Sequence, residues 1–455
     1  MDVSTAAQRL AGCPFDHGHS GENGQSGEDG QSGEDGQSGQ SGQSGQGGRP
    51  RIDLADPGLY RDRDPHAVWT ELRRHDPVSR QATRDGQEFW SVTRYADADR
   101  VLRDYLTFTS QRGTLLYLLG QDDPAGRRQM AATDPPRHTM LREPLQRALA
   151  VKPMQARHEQ IREVIVDLLA PLADGGTYDL ADYMNRMPMA VIGVMMDLPP
   201  ADWPRLVELT TASVAPEDPR FRHERGINAA LKAAHRELFA YFHDMVRHRR
   251  IHPGDDLISL LLRMELDGRP LNQGEILSNC YSLLLGANVT TAQVPVSALA
   301  ELMGTAMLEE WASRPELLKS GVDEALRWAT PTTHFIRYAT QDLTLRGRPI
   351  RAGDAVAVWL GSANRDEDVF PAPFTFDVRR RPNKHLAFGI GPHYCVGHTV
   401  ARITLQLFFA ELFSRFTGFA PAGPGERLYS NTIYGWTRMP ITARTRTGPR
   451  PPAAH

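Results

Sequence analysis

The chain has 455 residues, 40% of them hydrophobic, and sets 52 Lys and Arg against 55 Asp and Glu for a net charge of −3. That balance excludes wholesale nucleic-acid binding, which needs a positive excess to neutralise phosphates, while the apolar share is that of a folded globular body. Cys13, Cys280 and Cys395 are too few and too scattered for a disulfide framework, no run approaches the ~18 apolar residues of a membrane span, and the first ten residues lack a secretory signal. A cytoplasmic protein without membrane association is expected.

Residues 1–52 form a leader of Gly, Ser, Gln, Glu and Asp, with Gly-Gln-Ser-Gly-Glu-Asp repeating from Gly24. Such a tract cannot bury enough apolar surface to offset ordering at ~1–2 kcal/mol per residue, so it is expected to be disordered. Ordered structure is expected over 53–443, with a flexible tail at 444–455. Spacing of 3.6 residues predicts helices over Ala67–Arg74, Ala96–Leu102, His138–Leu149, His158–Leu172, Met184–Met196, Ile227–Arg250, Asp256–Met264 and Gly274–Met307. Strand patterns are short: Phe89–Thr93, Leu343–Leu345 and Ala355–Leu360. Many helices, small sheets and no regular strand–helix alternation predict one mostly α domain.

The most informative segment is His385-Leu-Ala-Phe-Gly-Ile-Gly-Pro-His-Tyr-Cys-Val-Gly-His-Thr-Val-Ala-Arg402, followed by a helical apolar pattern through Leu405, Phe408, Phe409 and Leu412. Its glycines let the backbone turn sharply and approach a flat ligand. Cys395 falls at a helix mouth, where the positive helix end, His393 and Arg402 favour a thiolate that can bind a metal. Alone, the cysteine also reads as a buried structural residue, or as a nucleophile with His393 or His398 as base; zinc is excluded because no second Cys lies nearby.

The pattern Phe388-Gly-x-Gly-x-His-x-Cys-x-Gly, ending in Ala401-Arg402, resembles the haem-ligating loop of the cytochromes P-450, especially the soluble bacterial ones. Further landmarks resemble that family in chain order: Asp134-Pro-Pro-Arg-His-Thr-Met-Leu-Arg142, Glu324-Ala-Leu-Arg327, Arg337 in Phe-Ile-Arg-Tyr-Ala, Ala363-Asn-Arg-Asp366 and Phe370–Asp377. The resemblance implies the P-450 fold, a b-type haem, Cys395 as thiolate ligand to iron, and His138, Arg142, Arg337 and His393 as donors to the two propionates. Glu324 and Arg327 would form a structural pair locked by a later Arg or Asn.

An apolar stripe through Ile276, Cys280, Leu284, Ala287, Thr291, Val294 and Ala298 marks the longest helical pattern. It resembles the family's central helix, with Gly286-Ala-Asn-Val-Thr-Thr291 at the oxygen-binding groove and Thr290 as the catalytic alcohol. Where the family usually carries an acid, this chain has Val289, which relays no proton. Three routes remain open: Asn288 and water acting through Thr290, a polar group of the substrate, or use of peroxide. Pro295 removes a helical N–H and crowds the Thr291 carbonyl, so a kink is expected there.

No dinucleotide fingerprint or iron–sulfur cysteine pattern is present, so a separate ferredoxin and ferredoxin reductase are implied. Arg379, Arg380, Arg381 and Lys384 read equally as a ferredoxin dock or a solvated patch. The expected activity is hydroxylation, epoxidation or oxidative coupling of a small secondary-metabolite intermediate; the alternative is a haem protein that senses or scaffolds. Pocket walls are expected at Gln111–Gly126, Val207–Asp218, Thr332–Phe335 and Thr432–Trp436, and Tyr117, Phe335, Tyr434 and Trp436 there suggest a bulky, partly aromatic ligand.

Overall fold

Short polar side chains set the helix starts. Asp64 accepts from the His66 N–H ahead of Pro65–His75, Asp256 accepts from Ile258 and Ser259 ahead of Leu257–Arg263, and Asn272 with Glu275 closes a capping box on Gln273–Thr291. The computed structural model describes residues 53–447 apart from 121, 122, 124 and 222, so the leader over 1–52 lies outside the described residues. The strand Pro440–Thr445 pairs with Phe416–Pro421 through Arg444 and Thr445. The tail boundary expected after 443 therefore moves outward, since ladder hydrogen bonds hold those two residues; 448–455 lie outside the described residues.

The fold is mostly α with small sheets, as expected. Every predicted helix is present, with two instructive changes. The one expected over His158–Leu172 ends as an α-helix at Leu169 and continues as a 3-10 turn from Ala170, where Pro171 supplies no N–H. The one expected over Gly274–Met307 is three helices: Gln273–Thr291, Gln293–Leu302 and Ala306–Ser313. The first break, at Ala292, follows from Pro295, which leaves the Thr291 carbonyl without its donor. Helices Trp203–Val214 and Leu318–Ala329 were not marked by periodicity.

The main sheet orders its strands Val78–Ala82, Glu88–Val92, Ala355–Trp359, His334–Ala339 and Phe108–Thr109, all antiparallel except the pairing of Glu88–Val92 with Ala355–Trp359. Ala355–Trp359 is buried throughout, which explains its unbroken apolar run. A large helical core and a smaller sheet core meet along the loop 385–397. Gln273–Leu302 is long and apolar enough to cross a membrane, but 61% of its most apolar window is buried inside the protein, so it reads as the core helix.

Behind that loop lies the Glu324–Arg327 pair, both side chains fully buried, joined at 2.7 and 2.8 Å. Arg380 and Asn383 complete the expected lock on Glu324, each at 3.1 Å. Arg380 is therefore unavailable for docking a partner, and Arg379 pairs with Glu310; Arg381 and Lys384 remain exposed. The four-residue basic cluster is reduced accordingly.

Candidate functional site

Cys395 ends a turn that its backbone closes by donating from N–H to Phe388 O at 2.9 Å, immediately before the helix His398–Arg415. Gly391 has φ +75°, and a Cβ there would fall 2.8 Å from Arg103 Cα and Leu102 O, so only glycine fits. The loop is thereby pressed against the helix Tyr95–Arg103.

Cys395, Thr290, His138, Arg142, Arg337 and His393 line one cavity of about 360 Å³. Arg337 is 3% exposed, and among the described residues its guanidinium donates only to Ile336 O, at 2.8 Å; burial pushes its pKa down to about 10. Burial likewise lowers Arg142, which makes no ion pair among the described residues. His138 is buried with no hydrogen-bond partner for Nε2 among the described residues, its ring 4.3 Å from that of His393 between centroids. Burial pushes the two imidazoles down to about 3 and about 4. Burial thus favours the neutral form of both rings, and a bound carboxylate would work in the opposite direction.

The thiol itself departs from expectation. Burial pushes the Cys395 pKa up, and the Gly397 N–H with the Arg142 and Arg402 charges offsets this only in part. Arg402 is already matched by Asp323 at 3.0 Å. Without a bound cation this cysteine is a thiol, so a metal's own charge is what would hold it as a thiolate.

The residues fit haem on three observations. Two buried or half-buried arginines that form no ion pair among the described residues, and an imidazole nitrogen without a hydrogen-bond partner among them, face the cavity, which is the complement of two propionates. Gly286 is open enough that an added Cβ would meet nothing within 4 Å, leaving room beside Thr290. Among the described residues no three His, Cys, Asp or Glu side chains converge, so a lone thiolate suits a metal that brings its other ligands with it.

Thr290 is on the cavity wall, its Oγ1 donating to Gly286 O at 3.0 Å. Asn288 is not. It turns to the opposite side of the helix, donates from Nδ2 to Thr210 Oγ1 at 2.5 Å, and borders a second, more polar cavity with Gln293, Arg186 and Glu208. The expected Asn288 relay fails because residues 288 and 290 project ~200° apart on an α-helix. Val289 and Val214 line both cavities and form the partition between them.

The four wall segments each reach the reaction cavity, through Tyr117 and Asp123, Val214, Thr332 and Phe335, and Thr432 and Ile433. Tyr434 instead packs against His66, and Trp436 borders the second cavity, so two of the four aromatics expected around a ligand lie elsewhere. Sequence reasoning also missed Ser110, whose Oγ lies 3.2 Å from His393 Nε2, and Asp134, which accepts from the Ser110 N–H at 3.0 Å. It missed His235 and Tyr281 as well; the signal was a tyrosine on a core helix, whose hydroxyl needs a partner when buried.

A family model described as Cytochrome P-450 matches residues 310–432. Cytochrome P-450 NovI of Streptomyces niveus is 32% identical over 401 residues, covering 86% of this chain and 96% of its own. Mycinamicin IV hydroxylase/epoxidase of Micromonospora griseorubida is 32% identical, covering 82% and 95%. Among solved structures, P-450 OxyD, described as involved in the biosynthesis of vancomycin-type antibiotics, superposes with a TM-score of 0.77 at 30% identity, covering 87% of this chain and all of that one.

Proposed function

The chain belongs to the cytochrome P-450 family, and on that footing we propose that Cys395 is its iron ligand, with His138, Arg142, Arg337 and His393 around the propionates and Thr290 at the dioxygen side. It is a haem-dependent monooxygenase that uses dioxygen and external electrons to oxidise a small organic molecule. The observation that carries the residue assignment is Arg337. A buried guanidinium with one carbonyl for a hydrogen-bond partner is costly unless an anion completes it, and no side-chain anion lies within ion-pair distance of it among the described residues.

Bound haem supplies the activation of dioxygen. The chain's part is positional. Arg337 and Arg142 hold carboxylates by charge, His138 and His393 add directional N–H groups, and the apolar wall of Leu285, Val289, Val294 and Phe335 keeps bulk water out. Thr290 spends its hydroxyl proton on Gly286 O, leaving its oxygen lone pairs to hold a water or a substrate hydroxyl in place. With Asn288 turned away and Val289 apolar, a polar group of the substrate or a water held by Thr290 carries the proton.

The substrate belongs to secondary metabolism in this reading, supported by relatives named for mycinamicin and for vancomycin-type antibiotics. Electrons come from a ferredoxin and its reductase in the cytoplasm, with exposed Arg381 and Lys384 offering charge to an acidic partner.

The test is the reduced protein under carbon monoxide. Cys395→Ala is expected to abolish the long-wavelength band of thiolate ligation, Cys280→Ala to leave it, and Arg337→Gln to lower haem retention. A band that survives Cys395→Ala overturns the assignment.

A further inference from the structure

At one end of the reaction cavity is a buried polar group that the chemistry above does not use. Tyr281 lies on the same helix as Thr290, nine residues earlier, hence ~13 Å away along the axis. Its hydroxyl is 2.9 Å from His235 Nε2 on the helix Ile227–Ile251. Tyr117, from the wall segment 111–126, comes close enough that the two phenols influence each other's ionisation, and Asp123 acts electrostatically on both. All four residues line the cavity.

The carboxylate is the odd member. Asp123 accepts from the Ala125 N–H at 2.8 Å and makes no ion pair among the described residues. Burial raises its pKa, as expected for a carboxyl in an apolar wall without a counter-charge. His235 does not balance it, because burial pushes that imidazole down to about 4 and leaves it neutral. The Tyr281 hydroxyl and His235 Nε2 share one hydrogen bond, and Tyr117 and Ser213 meet the same phenol, so this polar group is held in place by its neighbours within the protein. Two phenols and an imidazole therefore share one cavity wall with a carboxylate that has no ion pair among the described residues, and the phenol rings beside it attract cations. A neutral alcohol would satisfy the phenols but give Asp123 no counter-charge, whereas an ammonium supplies the cation that favours its ionised form.

We propose that the substrate is elongated and carries a basic amine, held as an ammonium by Asp123, Tyr117 and Tyr281 at the end remote from Cys395. This rests on the haem reading of the Cys395 end, and it makes these three residues determinants of specificity. His235 acts through Tyr281 and is a positioning residue.

The experiment uses the haem-loaded protein and two probe series, 1-(ω-aminoalkyl)imidazoles and 1-alkylimidazoles of matched length, in graded chain lengths. Imidazole shifts the Soret band when it reaches iron, and calorimetry run alongside reads binding independently of that shift. At one chain length the amine series is expected to bind roughly tenfold more tightly than its alkyl match. Asp123→Asn should bring that ratio close to one, with the alkyl affinity unchanged. Tyr281→Phe should lower the ratio partway and His235→Gln less. Equal affinity of the two series at every length, by both readouts, overturns the proposal, as does an amine preference that survives Asp123→Asn. Heat of binding without any Soret shift would instead count against the haem reading, while the ratio would still decide the amine.

Discussion

Asn288 donates its side-chain amide to Thr210 Oγ1 across the contact between the central helix and Trp203–Val214, 2.5 Å from nitrogen to oxygen, facing away from the cavity that its near neighbour Thr290 lines. Two residues on one helical turn thus serve different ends, one tying helices together and one facing the site.

This separation gives a paired prediction. Asn288→Ala should cost ~1 kcal/mol of stability for a buried hydrogen bond and leave coupling of electron use to product unchanged. Thr290→Ala should leave stability nearly unchanged while peroxide accumulates and product falls by roughly 10²-fold or more. Denaturant melts and the ratio of peroxide to NADPH consumed check the pair; uncoupling by Asn288→Ala would return that residue to the relay.

The Val214–Val289 partition should matter for water. Val289→Ala, combined with Val214→Ala, is expected to join the polar cavity to the reaction cavity and raise peroxide release, because water then reaches a wall now apolar. Val289→Asp should not restore an acid relay: a carboxyl placed between the two cavities stays largely protonated through desolvation. Coupled product that rises in Val289→Asp would show that the valine merely handicaps an ordinary relay.

Glu324 anchors two arginines at once. Glu324→Gln leaves Arg327 and Arg380 buried without a counter-charge and should destabilise the protein by ~3–5 kcal/mol, read as a lowered denaturant midpoint. Removing the exposed Arg61–Asp62 pair, by contrast, should shift the midpoint little.

A fourth prediction concerns pH. His334 is fully buried, its Nε2 accepts from the Leu116 N–H at 3.1 Å, and burial pushes its pKa from 6.5 to about 3. Below pH 6.5 the unfolded chain takes up a proton there that the folded chain refuses until about 3. This histidine's contribution is complete above 6.5 and declines by ~1.4 kcal/mol per pH unit below it. His334→Gln should flatten the fall in stability between pH 6.5 and 5.5; an unchanged slope would show that His334 is protonated in the folded protein.

Much of the site is legible in the sequence because its parts are local. A glycine whose φ is +75° and a cysteine at a helix start are constraints that a short segment carries by itself. The Glu324–Arg327 pair and its lock came through the family resemblance and not through spacing, and that Arg380 and Asn383 are the locking residues appears only in the packed structure. What failed did so where direction or distance mattered. Asn288 sits beside Thr290 in the chain, yet helical geometry sends it to a different cavity. Tyr434 and Trp436 sit within a wall segment, but the turns around them send one to His66 and the other to the second cavity.

By itself the sequence determined the mostly α body, the cysteine loop and the order of the cationic residues, because periodicity, glycine requirements and motif spacing are properties of neighbours along the chain. Only the tertiary structure decided the charge states and the company each residue keeps. Burial, which depends on what packs from elsewhere, lowers the His393 pKa and raises that of Cys395. The meeting of Asp123, Tyr117, His235 and Tyr281 exists only once three segments, more than a hundred residues apart at the extremes, close on one cavity.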